Sequence, residues 1–201
     1  LDNQNRFRMA VFASGSGTNF EAIVQAGKAG ELDAEIGLLI CDKPDAYVIE
    51  RAKQFSIPFV MLKPEQFPDK AAYEEEILIQ LNQENIDLIV LAGYMRIIGQ
   101  TLLQAYPNRI LNIHPSLLPL YPGRQGIADA YKDGAAETGV TVHLVDQGID
   151  TGPILAQEKI TVESTDTLET LEEKIHTLEH MMYPRVIEFY IEKLKKEQVR
   201  T

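Results

Sequence analysis

Apolar residues recur along this chain with two periods in turn. Short runs rich in β-branched residues alternate with longer stretches whose apolar positions fall three and four apart, the pattern of strand-helix-strand units wound around a mostly parallel sheet. Residues 9–13 are predicted as the first strand, and residues 19–29 as an amphipathic helix with Phe20, Ile23 and Val24 on one face. A strand follows at 35–41, then a helix capped by Asp45 and running through Phe55, then a strand at 57–62. Residues 69–85 form a long predicted helix with Tyr73, Ile77 and Leu81 in register, before a fourth strand at 87–92.

The second half continues with a helix at 99–106 and a strand at 109–113. Pro115, Pro119, Pro122 and Gly123 then exclude any long regular element. Helix returns at 125–133, two strands follow at 139–145 and 154–162, and a long helix at 167–195 closes the pattern. No repeat or linker interrupts it, so the expectation is one α/β domain over residues 9–201, with helices on both faces of a mostly parallel sheet. Residues 1–8 are read as a polar lead-in. In open sheets of this kind ligands bind beyond the carboxyl ends of the strands. Three loops there are chemically unusual, at 14–19, 92–98 and 112–124, and the site is expected among them.

Composition narrows the ligand. Lys and Arg number 19 against 30 Asp and Glu, a formal charge of -11 over 201 residues. Such a field repels a polyphosphate backbone, so no nucleic-acid partner is expected. One loop of backbone N–H groups still binds a compact anion against an unfavourable net charge, which keeps small phosphorylated ligands in view. Cys41 is the only cysteine, which excludes an intramolecular disulfide and a thiolate metal cluster. Apolar runs such as 88–92 are far too short to span a bilayer, and the N-terminus lacks an apolar signal core. A soluble cytoplasmic protein without a membrane partner is expected.

Ser14-Gly15-Ser16-Gly17-Thr18-Asn19 lies between a predicted strand and helix. Glycines there permit tight turning and close approach of backbone to an anion, and the helix N-terminus adds unpaired N–H groups. Gly17, Thr18 and Asn19 are therefore candidate phosphate ligands. A plain turn with Thr18 or Asn19 as helix cap is the alternative.

Asn112 and His114 stand two apart at the end of the fifth strand, where strand alternation sends both side chains to one side. An amide beside an imidazole suits acyl chemistry, because both can donate hydrogen bonds to an oxygen that gains charge as a carbonyl becomes tetrahedral. Residues 146–153 form an acidic loop held by glycine and proline. Within it, Asp150 is placed to bind His114 or to take a proton from an attacking amine. Ser116 follows His114 too closely for a triad, which leaves direct attack by the acceptor as the simpler mechanism. His176 and His180, four apart on the last helix, lack an apparent third ligand, and no metal is expected. His143 reads as a buried hydrogen-bonded histidine, with support of the catalytic residues from behind as the lesser option.

The run Asn112-Ile113-His114-Pro115-Ser116-Leu117-Leu118-Pro119, with the later Asp146-x-Gly148-x-x-x-Gly152-Pro153 segment that carries Asp150, resembles the folate-dependent formyltransferases. Ser14 to Asn19 and Leu91-Ala92-Gly93-Tyr94-Met95-Arg96 are similar to the branch of that family serving purine synthesis, and the similarity runs from Met9 to Leu194. The resemblance implies a Rossmann-like formyltransferase fold. Its N-terminal half would bind the phosphate and nucleotide, and its C-terminal half would bind folate. It implies transfer of a formyl group from 10-formyltetrahydrofolate, as co-substrate, to the amine of glycinamide ribonucleotide. Asn112 and His114 would stabilise the oxyanion, and Asp150 would support His114 and proton movement. Gly17, Thr18, Asn19 and Glu179 would bind the nucleotide. Met95, Arg96, Ile97, Ile98, Asn112 and Asp146 would line the folate pocket.

Two departures from the family pattern stand out. Lys70 occupies the position at which some relatives carry an Arg for the folate tail, so looser and more salt-sensitive tail binding is expected. Leu120 and Gln125 replace residues that are commonly polar or charged. A monomer or homodimer is expected. The rival readings are a hydrolase of the same family, which usually carries a further N-terminal domain, and a nucleotide-binding regulator without turnover.

Overall fold

Strand alternation sorts the side chains into two cores. The computed structural model describes residues 6–198 and contains seven strands and six α-helices. On β1 (Phe7–Ala13), Met9 and Val11 face one apolar cluster while Ala10 and Phe12 face the other. The first cluster packs the sheet against α1 (Thr18–Ala29), α2 (Val48–Phe55) and α6 (Leu168–Gln198). The second packs it against α3 (Lys70–Gln83) and α4 (Gln100–Ala105). A parallel sheet covered on both faces requires such continuously apolar strands, and β4 (Leu88–Leu91) is buried at every position.

The sheet order is β3-β2-β1-β4-β5-β6-β7. β2 (Ala34–Cys41), β3 (Phe59–Met61), β4 and β5 (Ile110–His114) run parallel with β1, while β6 (Glu137–Leu144) and β7 (Ile154–Thr161) add an antiparallel edge. From β1 the chain goes to β2 on one side and β4 lies on the other, so the order reverses between β1 and β4. That reversal opens a crevice at the carboxyl ends. The loops after β1, β4 and β5 thereby stand side by side, as the sequence pattern implied. Tyr183 on α6 is fully buried beneath them, and its hydroxyl donates to the Leu91 carbonyl oxygen at 2.8 Å.

Three expectations are corrected. β1 begins at Phe7, not Met9: Phe7 is buried in the first core, and the Arg8 N–H donates to Asp87 Oδ2 at 2.9 Å, so these two residues belong to the sheet. Residues 1–5 of the expected lead-in lie outside the described residues. Asp45 caps nothing. α2 starts later, at Val48, because its first N–H bonds the Gly15 carbonyl oxygen at 3.1 Å and so docks the helix on the glycine loop. The third strand is three residues long, the stretch that pairs with Leu39 to Cys41 of β2 at the edge of the sheet. Among the described residues no helix is long and apolar enough to cross a membrane.

Candidate active site

The glycine loop ends in Gly17, which caps α1 with φ 77 and provides no side-chain bond to the first turn. A side chain is excluded there twice over. A left-handed φ disfavours any L-residue, and a Cβ would lie 2.5 Å from Val48 Cγ2. Neither Thr18 nor Asn19 caps the helix. Asn19 instead donates from Nδ2 to Glu179 Oε2 at 3.3 Å, which brings the last helix to the loop. The open N–H groups of the first turn and the helix dipole form a cradle for an anion. Arg51 braces its rim, donating from Nε to the Ser16 carbonyl oxygen at 2.8 Å while also pairing with Glu21.

Beyond β4 and β5 lies a cavity of about 250 Å³, lined by Met95, Arg96, Ile97, Ile98, Asn112, His143, Asp146 and Asp150 among others. Six of the seven expected folate residues thus share one wall. The seventh, Lys70, lines an adjoining cavity with Arg96 and Arg124 and has no hydrogen-bond or ion-pair partner among the described residues. Residues 93–99 carry no regular structure, and the backbone groups of Arg96, Ile97 and Ile98 make no hydrogen bond within the described residues. They are free to read the polar edge of a flat ring, while Ile97 and Ile98 offer apolar contact.

The catalytic candidates converge on one carboxylate. Asp150 Oδ2 lies 3.5 Å from His114 Nδ1, and Oδ1 lies 3.7 Å from His143 Nε2. Asp150 Oδ2 also accepts the Gly123 N–H at 2.8 Å. Burial opposes ionisation of Asp150, yet the nearby His143 imidazole, the hydrogen bond from the Gly123 N–H and the attraction of His114 outweigh it. Its pKa is held below the ordinary carboxylate value. His114 Nε2 lies 2.8 Å from the Tyr121 carbonyl oxygen; a carbonyl only accepts, so Nε2 carries a hydrogen and Nδ1 faces the carboxylate. Asn112 and His143 are direct partners across the β5–β6 pairing, and Asn112 Nδ2 lies 3.2 Å from His143 Nε2.

His143 thus belongs to the site more closely than its strand position suggested. The signal was available only through the antiparallel register that sets it opposite Asn112. The Tyr121 carbonyl and Gly123 N–H were also missed, because backbone groups leave no signature in residue type. Ser116 is fully buried and donates to the Leu120 carbonyl oxygen at 2.6 Å, which ties the 120–125 turn to the strand end and agrees with its exclusion as a nucleophile. Leu120 itself is exposed, whereas Arg124 Nη2 donates to the Met95 carbonyl oxygen at 3.3 Å across the cavity mouth.

Glu179 is buried and receives a second bond, from His176 Nδ1 at 2.9 Å. That bond raises the His176 pKa, burial opposes the rise, and the charges of Glu179 and Glu172 add to it. A raised value in the folded state gives stability that is present below the unfolded pKa and lost as pH rises through the folded one. His176→Ala is therefore expected to lower the melting temperature more near roughly pH 6 than near roughly pH 9. Equal lowering at both pH values in thermal melts refutes the linkage.

The sequence profile of formyl transferases matches residues 7–187. Phosphoribosylglycinamide formyltransferase of Bacillus subtilis (strain 168) is 54% identical over 180 residues, covering 90% of this chain and 92% of that one. A trifunctional purine biosynthetic protein adenosine-3 of Drosophila melanogaster is 37% identical over 187 residues, 92% of this chain but 14% of that protein. The crystal structure of phosphoribosylglycinamide formyltransferase from Bacillus halodurans superposes with a TM-score of 0.90 at 54% identity, covering 93% of this chain and 96% of that one. The matched region runs from the first strand through the glycine loop, Asn112, His114 and Asp150 to Glu179, and this chain belongs to the formyl transferase family.

Proposed function

We propose that this chain transfers the formyl group of 10-formyltetrahydrofolate to the amine of N1-(5-phospho-D-ribosyl)glycinamide, giving formylglycinamide ribonucleotide and tetrahydrofolate, a step in purine nucleotide synthesis. The observation that carries the reading is the Asp150 carboxylate seated between two imidazoles beside Asn112 on the cavity wall. Acceptor phosphate is assigned to Gly17, Thr18 and Asn19, with Glu179 on the sugar or amine. The donor is assigned to Met95, Arg96, Ile97, Ile98, Asn112 and Asp146, and its tail carboxylate to Lys70.

The acceptor amine attacks the formyl carbon, a C–N bond forms, and the carbonyl electrons move onto oxygen. The Asn112 amide donates to that oxygen, and His114, whose Nε2 hydrogen is engaged by the Tyr121 carbonyl, acts on it from its Nδ1 side beside Asp150. Asp150, ionised by its surroundings, holds His114 in place and receives the proton lost by the attacking nitrogen through water. Collapse breaks the bond to the folate nitrogen, which takes up a proton. Held together, the two reactants need no covalent enzyme intermediate.

A spectroscopic assay of tetrahydrofolate formation, run with and without the glycinamide nucleotide, tests the reading. Product formation is expected to depend on the acceptor. Equal rates in both conditions would identify a hydrolase, and binding without turnover would identify a regulator.

A further inference from the structure

Two buried carboxylates take no part in the chemistry described above. Asp42 follows β2 and Glu74 lies on α3, and they are 4% and 3% exposed. Enclosure disfavours a carboxylate unless its oxygens meet strong donors, so the groups they reach are informative. Both reach the same short segment. Asp42 Oδ2 accepts from Arg96 Nε at 2.7 Å, and Glu74 Oε1 accepts the Gly99 N–H at 2.5 Å.

Between these two anchors the backbone groups of Arg96, Ile97 and Ile98 have no hydrogen-bond partner among the described residues. A loop whose amides are reserved for a ligand cannot hold its shape by bonding to itself; contacts from outside must set it. The geometry points to Asp42 and Glu74 as positioning residues for the formyl donor, holding the 95–99 segment in the conformation that meets the donor's polar edge. This inference rests on the proposed reaction.

Charge suits the task. A hydrogen bond to an ionised acceptor is roughly twice as strong as a neutral one, and exclusion of water preserves it. The Arg96 side chain is 41% exposed while that of Asp42 is 1% exposed, so the carboxylate is the fixed member of the pair. Asp42 Oδ1 is buried without a hydrogen-bond partner, so this carboxylate is not placed there by full satisfaction of its own oxygens. At the other anchor, a Cβ on Gly99 would lie 2.8 Å from Glu74 Oε2, and the absent side chain is what admits the carboxylate. Neither carboxylate hydrogen-bonds the glycine loop, so their loss should fall on one substrate.

Steady-state kinetics with both substrates varied, alongside calorimetric titration with tetrahydrofolate, test the assignment in Asp42→Asn, Glu74→Ala and Glu74→Gln. The first two are expected to raise the donor KM and the tetrahydrofolate Kd about tenfold, with the acceptor KM changed less than about twofold. Glu74→Gln keeps an oxygen facing Gly99 and should return to within about threefold of the native protein. If Asp42→Asn does not fold, Arg96→Lys probes the same contact from its exposed end. Parallel rises in both KM values overturn the inference, as does an unchanged donor KM in a variant of native melting temperature. If the native protein binds tetrahydrofolate without formylating the acceptor, the proposed reaction fails, and the Kd shifts still decide the positioning role.

Discussion

His114→Ala and Asp150→Asn are each expected to lower kcat by about 10²- to 10³-fold, roughly 2.7–4 kcal/mol of transition-state stabilisation, with far smaller changes in both KM values. The two losses have different origins. His114→Ala removes a donor that matters most when the formyl oxygen carries charge, so the ground-state complex is little affected. Asp150→Asn preserves shape and tolerates the φ of 55 that this position requires, since Asn also adopts the left-handed region. It removes the negative charge that two histidines face. Folding should therefore survive, and the readout is kcat in protein whose melting temperature stays close to native.

The pH dependence of the same residue has a defined sign. Because the Asp150 pKa is depressed, its contribution is present above the ordinary carboxylate value and lost only as pH falls through the lower folded one. Turnover lost to protonation of Asp150 is thus expected only below about pH 4. Near-normal kcat in either variant refutes the roles assigned to them.

Gly17→Val is the second large effect, and its target is the acceptor. The substitution forces a β-branched residue to φ 77 and drives its Cβ to 2.7 Å from Val48 Cβ. Left-handed geometry alone costs an L-residue about 1–2 kcal/mol. Overpacking adds about 1–3 kcal/mol, more than the loop can absorb without moving. Movement would displace the α1 N-terminus from the bound phosphate, so the acceptor KM should rise by about 10²-fold while the donor KM changes only a few-fold. Gly17→Ala, with the same φ but less bulk, should show a smaller rise in the same direction. Separate titration of each substrate is the measurement. Matched losses for both substrates would make the loop a plain structural turn.

Much of this was readable without coordinates where the information is local. Asn112, His114 and Asp150 were legible as types of residue at strand ends and in a glycine-rich turn, and the fold class followed from alternating periods. Asp45 shows where local reasoning misleads. It has the chemistry of a cap, yet docking of α2 on Gly15 set the helix start two residues later. The β3 boundary moved for a related reason, since an edge strand ends where its one partner stops pairing.

What stayed illegible is non-local. The ties that hold the 95–99 segment join Met95 to Ser14, Arg96 to Asp42 and Gly99 to Glu74 across 81, 54 and 25 positions. No periodicity links such pairs, and an acidic residue after a strand or on a helix reads as solvent-facing until the fold encloses it. His143 is similar, being a plain strand histidine until the β5–β6 register sets it opposite Asn112.

By itself, then, the sequence determined the order of elements, the three loops that matter and the chemical types they present, because side-chain period and turn chemistry are properties of neighbouring residues. The tertiary structure alone decided that Asp150 lies between His114 and His143, that Gly123 holds it through a backbone N–H, and that the buried Asp42 and Glu74 bond Arg96 and Gly99. Those facts depend on strand order and register, which arise when distant segments exclude water together.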